Sequence, residues 1–154
     1  MNDQSGATSY DELGEGETLL ETPSSELLFR QIPGHLWDRN TRRPSLHAFG
    51  PQSADKGMPS YSRETVTTAQ DSRDWHNANA KSESKSVWAC SVDEVHSAGT
   101  RTIDDSAAPV EPGSQRSPGH AYVDFRHLDK GAERQIRASL FHFAIKRDEI
   151  PTAP

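Results

Sequence analysis

A single α+β domain is the fold class this sequence predicts: a small mixed or antiparallel sheet of about four strands with two or three helices, the last of them amphipathic and packed on the sheet. Three observations predict it. Short runs rich in aromatic, β-branched and aliphatic residues recur between turn signals, residues 129–147 carry apolar side chains at spacings of three and four, and residues 1–25 show neither pattern.

The elements follow in chain order. Residues 1–26 hold seven acids (Asp3, Asp11, Glu12, Glu15, Glu17, Glu21, Glu26) and no Lys or Arg. With so few large apolar groups, residues 1–25 cannot bury enough surface to offset ordering entropy, so a disordered acidic tail is expected. The compact domain is expected over residues 26–148. Its first strand is the run ELLFRQI at 26–32, stopped by Pro33-Gly34. PSLHAF at 44–49 alternates with period two and reads as a second strand. Residues 65–80 lack Pro and Gly and suit a helix capped near Thr67. SVWACSV at 86–92 has the composition of an interior strand, and residues 93–98 make a helical turn ended by Gly99. Residues 100–119, rich in Pro and Gly, read as a long loop, and HAYVDF at 120–125 as the last strand. In the closing helix Ala132, Ile136, Leu140, Phe143 and Ala144 define the face expected on the core. Residues 149–154 are expected as a free C-terminal tail.

Composition narrows the function classes. Outside the acidic leader the chain carries 17 basic and 16 acidic residues, so the domain lacks the basic excess that binds a phosphate backbone, and nucleic acid is disfavoured as partner. Cys90 is the one cysteine, and no run approaches the roughly 20 apolar residues that span a bilayer. No membrane association and a cytoplasmic location are therefore expected. The seven histidines stand singly, without CxxC, HxxxH or HExxH, so no metal is expected. No phosphate-loop glycine run or GxSxG elbow is present.

Two readings of function follow from what remains. The first is a non-enzymatic domain that works through a protein partner or self-association. Its surface would be Phe141 and Ile145, which lie roughly 140–180° around the closing helix from Ile136 and are expected to be exposed. The second is an anion- or nucleotide-binding enzyme centred on Arg30, a cation inside an apolar strand, which must find an anion or a solvent-facing position. No cofactor is expected under the first reading.

Two resemblances bear on these readings. Arg30, then Ser60-Tyr61-Ser62, then Asp93-Glu94 resembles the arginine, serine and glutamate order of NAD-using ADP-ribosyltransferase-like domains. That resemblance implies Arg30 as cofactor-holding residue, Ser62 as support and Glu94 as catalytic acid, although the Glu-x-Glu of the family is absent. The runs LFRQI at 28–32, SLHAFGP at 45–51 and HAYVDF at 120–125, with the basic closing helix, are similar to a family of small bacterial proteins of unassigned activity. Its segments read FRQxHP, SxxAFxP and HAxxDF; here Pro33-Gly34-His35 stands where that pattern has His-Pro. This resemblance implies the domain limits and no activity.

Overall fold

A computed structural model describes Tyr10 and residues 12–154; residues 1–9 and Asp11 of the expected tail lie outside the described residues. The strands are β1 (Thr18–Leu19), β2 (Leu27–Pro33), β3 (Trp37–Asp38), β4 (Arg43–Pro44), β5 (Ser60–Arg63), β6 (Ser84–Ser91), β7 (Thr102–Asp104) and β8 (His120–Val123). The α-helices are α1 (Ala69–Asn79), α2 (Val92–Ala98) and α3 (Lys130–Arg147), with short 3-10 turns at Gly34–Leu36, Leu46–Phe49 and Ser53–Asp55.

The α+β class is as predicted, but the sheet is larger: six antiparallel strands in the order β1-β7-β8-β5-β2-β6, beside a separate β3-β4 pair. The long β2-β6 ladder explains why both strands read as nearly continuous apolar runs. Alternate residues bury against different layers. Leu28, Ile32, Trp88 and Cys90 join the main core with Ile136, Leu140 and Ala144 of α3, while Phe29, Val87 and Ala89 pack with Ala69 of α1 on the opposite face.

Helix ends form where the side chains dictate. Thr68 caps α1 by accepting from the Asp71 N–H at 3.0 Å, one residue from the expected cap. Asp129 caps α3 by accepting from the Ala132 N–H at 2.7 Å. Lys146 and Arg147 lie in its last turn, where the helix dipole favours cations.

Several expectations are corrected. Strand β6 lies at the edge of the sheet rather than inside it, and the C-terminal segment expected to be free covers that edge. The Ile150 N–H donates to the Val87 carbonyl at 2.8 Å, and Arg73 reaches Thr152 Oγ1 at 2.7 Å. At the other edge Thr18–Leu19 pairs with β7, so part of the expected tail is sheet. That pairing is reinforced by Tyr122, whose hydroxyl donates to Glu17 at 2.8 Å. The loop expected over 100–119 supplies β7, whose Thr102 and Ile103 are buried. Residues 46–49 form a 3-10 turn instead of a strand, with the neighbouring Ala48 and Phe49 both buried.

Helix α3 is also rotated from its expected setting. Its buried residues are Ile136, Leu140 and Ala144, and Phe141 and Ile145 pack half-buried against the same core, whereas Phe143 does not. The core arc is turned by roughly 75° at 100° per residue. The cause is the turn at Leu46–Phe49, whose Phe49 ring meets Phe141 edge-on at 6.4 Å. The expected exposed ridge is therefore the shoulder of the core.

Candidate functional site

The sheet opens next to Arg30. Strands β2 and β5 share the pairs Leu28 with Arg63 and Phe29 with Ser62, yet β2 continues along β6 as far as Pro33. Past Phe29 the two strands diverge, and a cleft of about 500 Å³ occupies the gap. Its walls come from β2, β5, α1, the turns at residues 34–36 and 53–55, and the segment 115–120 that leads into β8. This volume lies within the range that holds small ligands.

Arg30 is 8% exposed, which excludes the solvent-facing alternative. Its Nε donates to the Ala48 carbonyl and its Nη1 to the Ser60 carbonyl, each at 2.9 Å, and the guanidinium carbon lies 5.4 Å from the centre of the Tyr61 ring. Nη2 has no hydrogen-bond partner among the described residues, and Arg30 forms no ion pair among them. A buried cation held by neutral carbonyls is only partly compensated for the water it has lost. Tyr61 is 1% exposed, and its hydroxyl also lacks a partner among the described residues. Burial pushes that hydroxyl above the ordinary tyrosine range, with the charge of Arg30 opposing the shift.

Ser62 lies on the opposite face of β5 from Tyr61 and belongs to a polar chain. The Ser72 hydroxyl donates to Ser62 at 3.0 Å, Gln31 Nε2 donates to Ser72 at 2.9 Å, and the Ser84 hydroxyl donates to Gln31 Oε1 at 2.8 Å. This chain fastens α1 to the sheet through satisfied buried groups. On α1, His76 is held below the ordinary histidine range by burial and by the charge of Arg30, against a hydrogen bond with the Ser82 carbonyl at 2.8 Å.

On the β8 side, the register that sets Ser62 opposite His120 also brings Ser60 within reach. His120 Nε2 lies 3.0 Å from Ser60 Oγ, and its Nδ1 lies 2.5 Å from Asp105 Oδ1. Asp105 follows β7 and is 8% exposed. Its other oxygen lies 3.4 Å from Arg116 Nε, and Arg116 donates to the Ala108 carbonyl at 2.5 Å and the Pro109 carbonyl at 3.2 Å. The loop is thereby tied to the acid.

Of the residues singled out in the sequence, Arg30 and Ser62 both line the cleft and Glu94 does not. Glu94 sits at the start of α2, accepting from the Ser91 N–H at 2.8 Å and from both terminal nitrogens of Arg147 at 2.8 Å. The arginine, serine and glutamate order thus does not converge in space. Cys90 is fully buried, its thiol pushed up by burial, and donates to the Leu140 carbonyl at 3.3 Å. Sequence reasoning missed Ser60, Asp105, Arg116 and His120. They are separated by up to 60 residues and meet only through strand register. The available signal was an Asp-Asp pair after a β-branched dipeptide and a histidine opening a strand.

Among the described residues no group of three or more metal-ligating side chains occurs, and no helix is long and apolar enough to cross a membrane. In comparisons with family models, curated proteins and solved structures, nothing matches this chain.

Proposed function

We propose that the chain binds a small anionic molecule in the cleft, with Arg30 receiving its negative group. The observation that supports this reading is a guanidinium more than nine-tenths buried, lining a cleft, with one nitrogen uncommitted and no carboxylate paired to it among the described residues. A phosphate or carboxylate placed there would supply the missing counter-charge through a charge-assisted hydrogen bond. The protein-contact reading rests on Phe141 and Ile145, which are half-buried against the core, and this favours the anion reading over it.

Titrating the full chain with inorganic phosphate, pyrophosphate and NAD, by calorimetry and thermal melting, tests the proposal. At least one should bind saturably and add about 2.7 kcal/mol at a hundredfold excess over its Kd. For a chain of this length that is a rise of roughly 5–11 °C. Arg30→Met should abolish the effect while keeping a cooperative melt. No saturable binding, or undiminished binding by Arg30→Met, would remove the proposal.

A further inference from the structure

We infer that Ser60 is a catalytic nucleophile, activated by His120 and Asp105, and that the cleft hydrolyses small esters that also carry an anionic group. The substrate class rests on the anion-binding reading above; the nucleophile rests on geometry of its own.

That geometry is an ordered relay. Ser60 is exposed at the cleft, its Oγ lies 3.0 Å from His120 Nε2, and His120 Nδ1 lies 2.5 Å from Asp105 Oδ1. With the Asp105 carboxylate accepting from Nδ1–H, Nε2 is left as a base for the serine proton. Nucleophile, base and orienting acid are thus in hydrogen-bond sequence, each on the nitrogen its role requires. Three features hold the relay in place. Strand register fixes Ser60 and His120 on one face of neighbouring strands, Arg116 braces the far oxygen of Asp105, and β7 carries Asp105 to the rim. A structural serine would not need a histidine and a nearly buried acid lined up behind it at the mouth of a cleft.

Arg30 supplies the substrate selection. Its Nη1 donates to the backbone carbonyl of Ser60, and Arg30 and Ser60 both line the cleft. An ester that also carries an anionic group is therefore the substrate class the cleft would select. In the reaction Ser60 Oγ bonds to the carbonyl carbon while its proton moves to His120 Nε2. The tetrahedral adduct collapses by breaking the bond to the alcohol oxygen, which leaves with the proton from His120. Water then attacks the acyl-serine, His120 takes its proton and returns it to Ser60, and the free acid departs.

The test is covalent labelling of the full chain with a neutral alkyl fluorophosphonate, in which Ser60 Oγ displaces fluoride. Intact mass should rise by one phosphonyl group, peptide mapping should place it on Ser60, and the urea-unfolded chain should not react. His120→Gln, shown by its melt to be folded, should react about 100-fold more slowly, the scale of a lost general base. Absence of label on the native chain, label on another residue, or equal reaction of the native and unfolded chains would overturn the inference without recourse to any variant. Labelling at the wild-type rate in folded His120→Gln would do the same. Calorimetry with phosphate and pyrophosphate is a separate readout: anion binding without labelling sinks the nucleophile alone, and labelling without anion binding sinks the substrate class alone.

Discussion

Replacing Glu94 by glutamine separates the role that the sequence resemblance implies for this residue from the one that its contacts show. In the ADP-ribosyltransferase-like reading Glu94 is a catalytic acid; in the structure it is a fastener between α2, α3 and β6. Its Oε1 accepts from the Ser91 N–H and from Arg147 Nη1, its Oε2 accepts from Arg147 Nη2, and Arg147 also donates to the Ala89 carbonyl at 2.9 Å. Glutamine keeps one acceptor and turns an amide NH₂ towards the other guanidinium nitrogen, so the two-pronged pair is lost. A fully buried pair broken on one side costs about 3–5 kcal/mol and an exposed pair about 0.2–1 kcal/mol. Here the two side chains keep 21% and 26% exposure, which places the loss between those limits, at about 2 kcal/mol.

For this chain length that loss corresponds to a melting temperature lower by roughly 4–8 °C, or a lower urea midpoint at unchanged slope. Glu94→Ala also removes half of the capping box and should lose about 1 kcal/mol more. The pH dependence gives an internal check. Burial opposes the ionisation of Glu94, but hydrogen bonds from Arg147 and Ser91 outweigh it and hold the carboxyl below its ordinary range. Its contribution is therefore complete above the unfolded value of about 4.5 and disappears as pH falls through the lower folded value. Wild type and Glu94→Gln should converge in acid. A melting temperature within about 1 °C of wild type, together with lost anion binding or esterase activity, would refute the structural assignment.

Other perturbations follow from the same contacts. Asp124 is 1% exposed and accepts from Arg101 Nε and Arg126 Nε, both at 2.9 Å, so Asp124→Asn should lose about 3 kcal/mol in urea unfolding. In Glu26, Glu94, Asp104 and Asp124 burial works against ionisation, and hydrogen bonds including those from Arg63, Arg147, Ser106 and Arg126 respectively more than offset it. All four folded values are depressed, so the carboxylates' contribution should hold level down to about pH 5 and fall progressively below about pH 4.5; His76, held low by burial, adds an earlier loss as pH falls below about 6.5, and His76→Gln should remove that earlier loss alone. Phe141→Ser with Ile145→Ser should lose about 3 kcal/mol with the oligomeric state unchanged on a sizing column, whereas a stable variant that alone changes its self-association would restore the contact-surface reading.

What was legible in the sequence follows from which forces are local. The 26–32 and 86–92 runs and the 129–147 periodicity report burial on a strand or helix, a property of a residue and its near neighbours, and all three became the expected elements. Capping is local too, and Asp129 and Gly99 mark real helix ends. Sheet edges are not local. Whether Thr18–Leu19 or Ile150 is free depends on β7 and β6 offering unpaired backbone groups, which no window around residue 18 or 150 records. The same holds for the cleft: Arg30 stood out because a charge inside an apolar run conflicts locally with its surroundings, while Ser60, Asp105 and His120 are unremarkable in their own segments and come together only through the β5-β8 and β7-β8 registers.

Tyr61 supplies the last prediction, because it shows what the cleft costs the fold. The ring packs in the main core and faces the Arg30 guanidinium, yet the hydroxyl is buried without a hydrogen-bond partner. A buried hydroxyl deprived of water and given nothing in return lowers stability by about 1–3 kcal/mol. Tyr61→Phe removes that atom and keeps the ring over Arg30, so the variant should melt higher, by a few degrees for about 1 kcal/mol. Such a gain would mark Tyr61 as a place where the fold tolerates a local conflict beside the proposed anion site. A lower melting temperature in Tyr61→Phe would refute this reasoning: the hydroxyl would then be bonded in solution to a trapped water, and the wall of the cleft beneath Arg30 would be a hydrated network rather than a dry one.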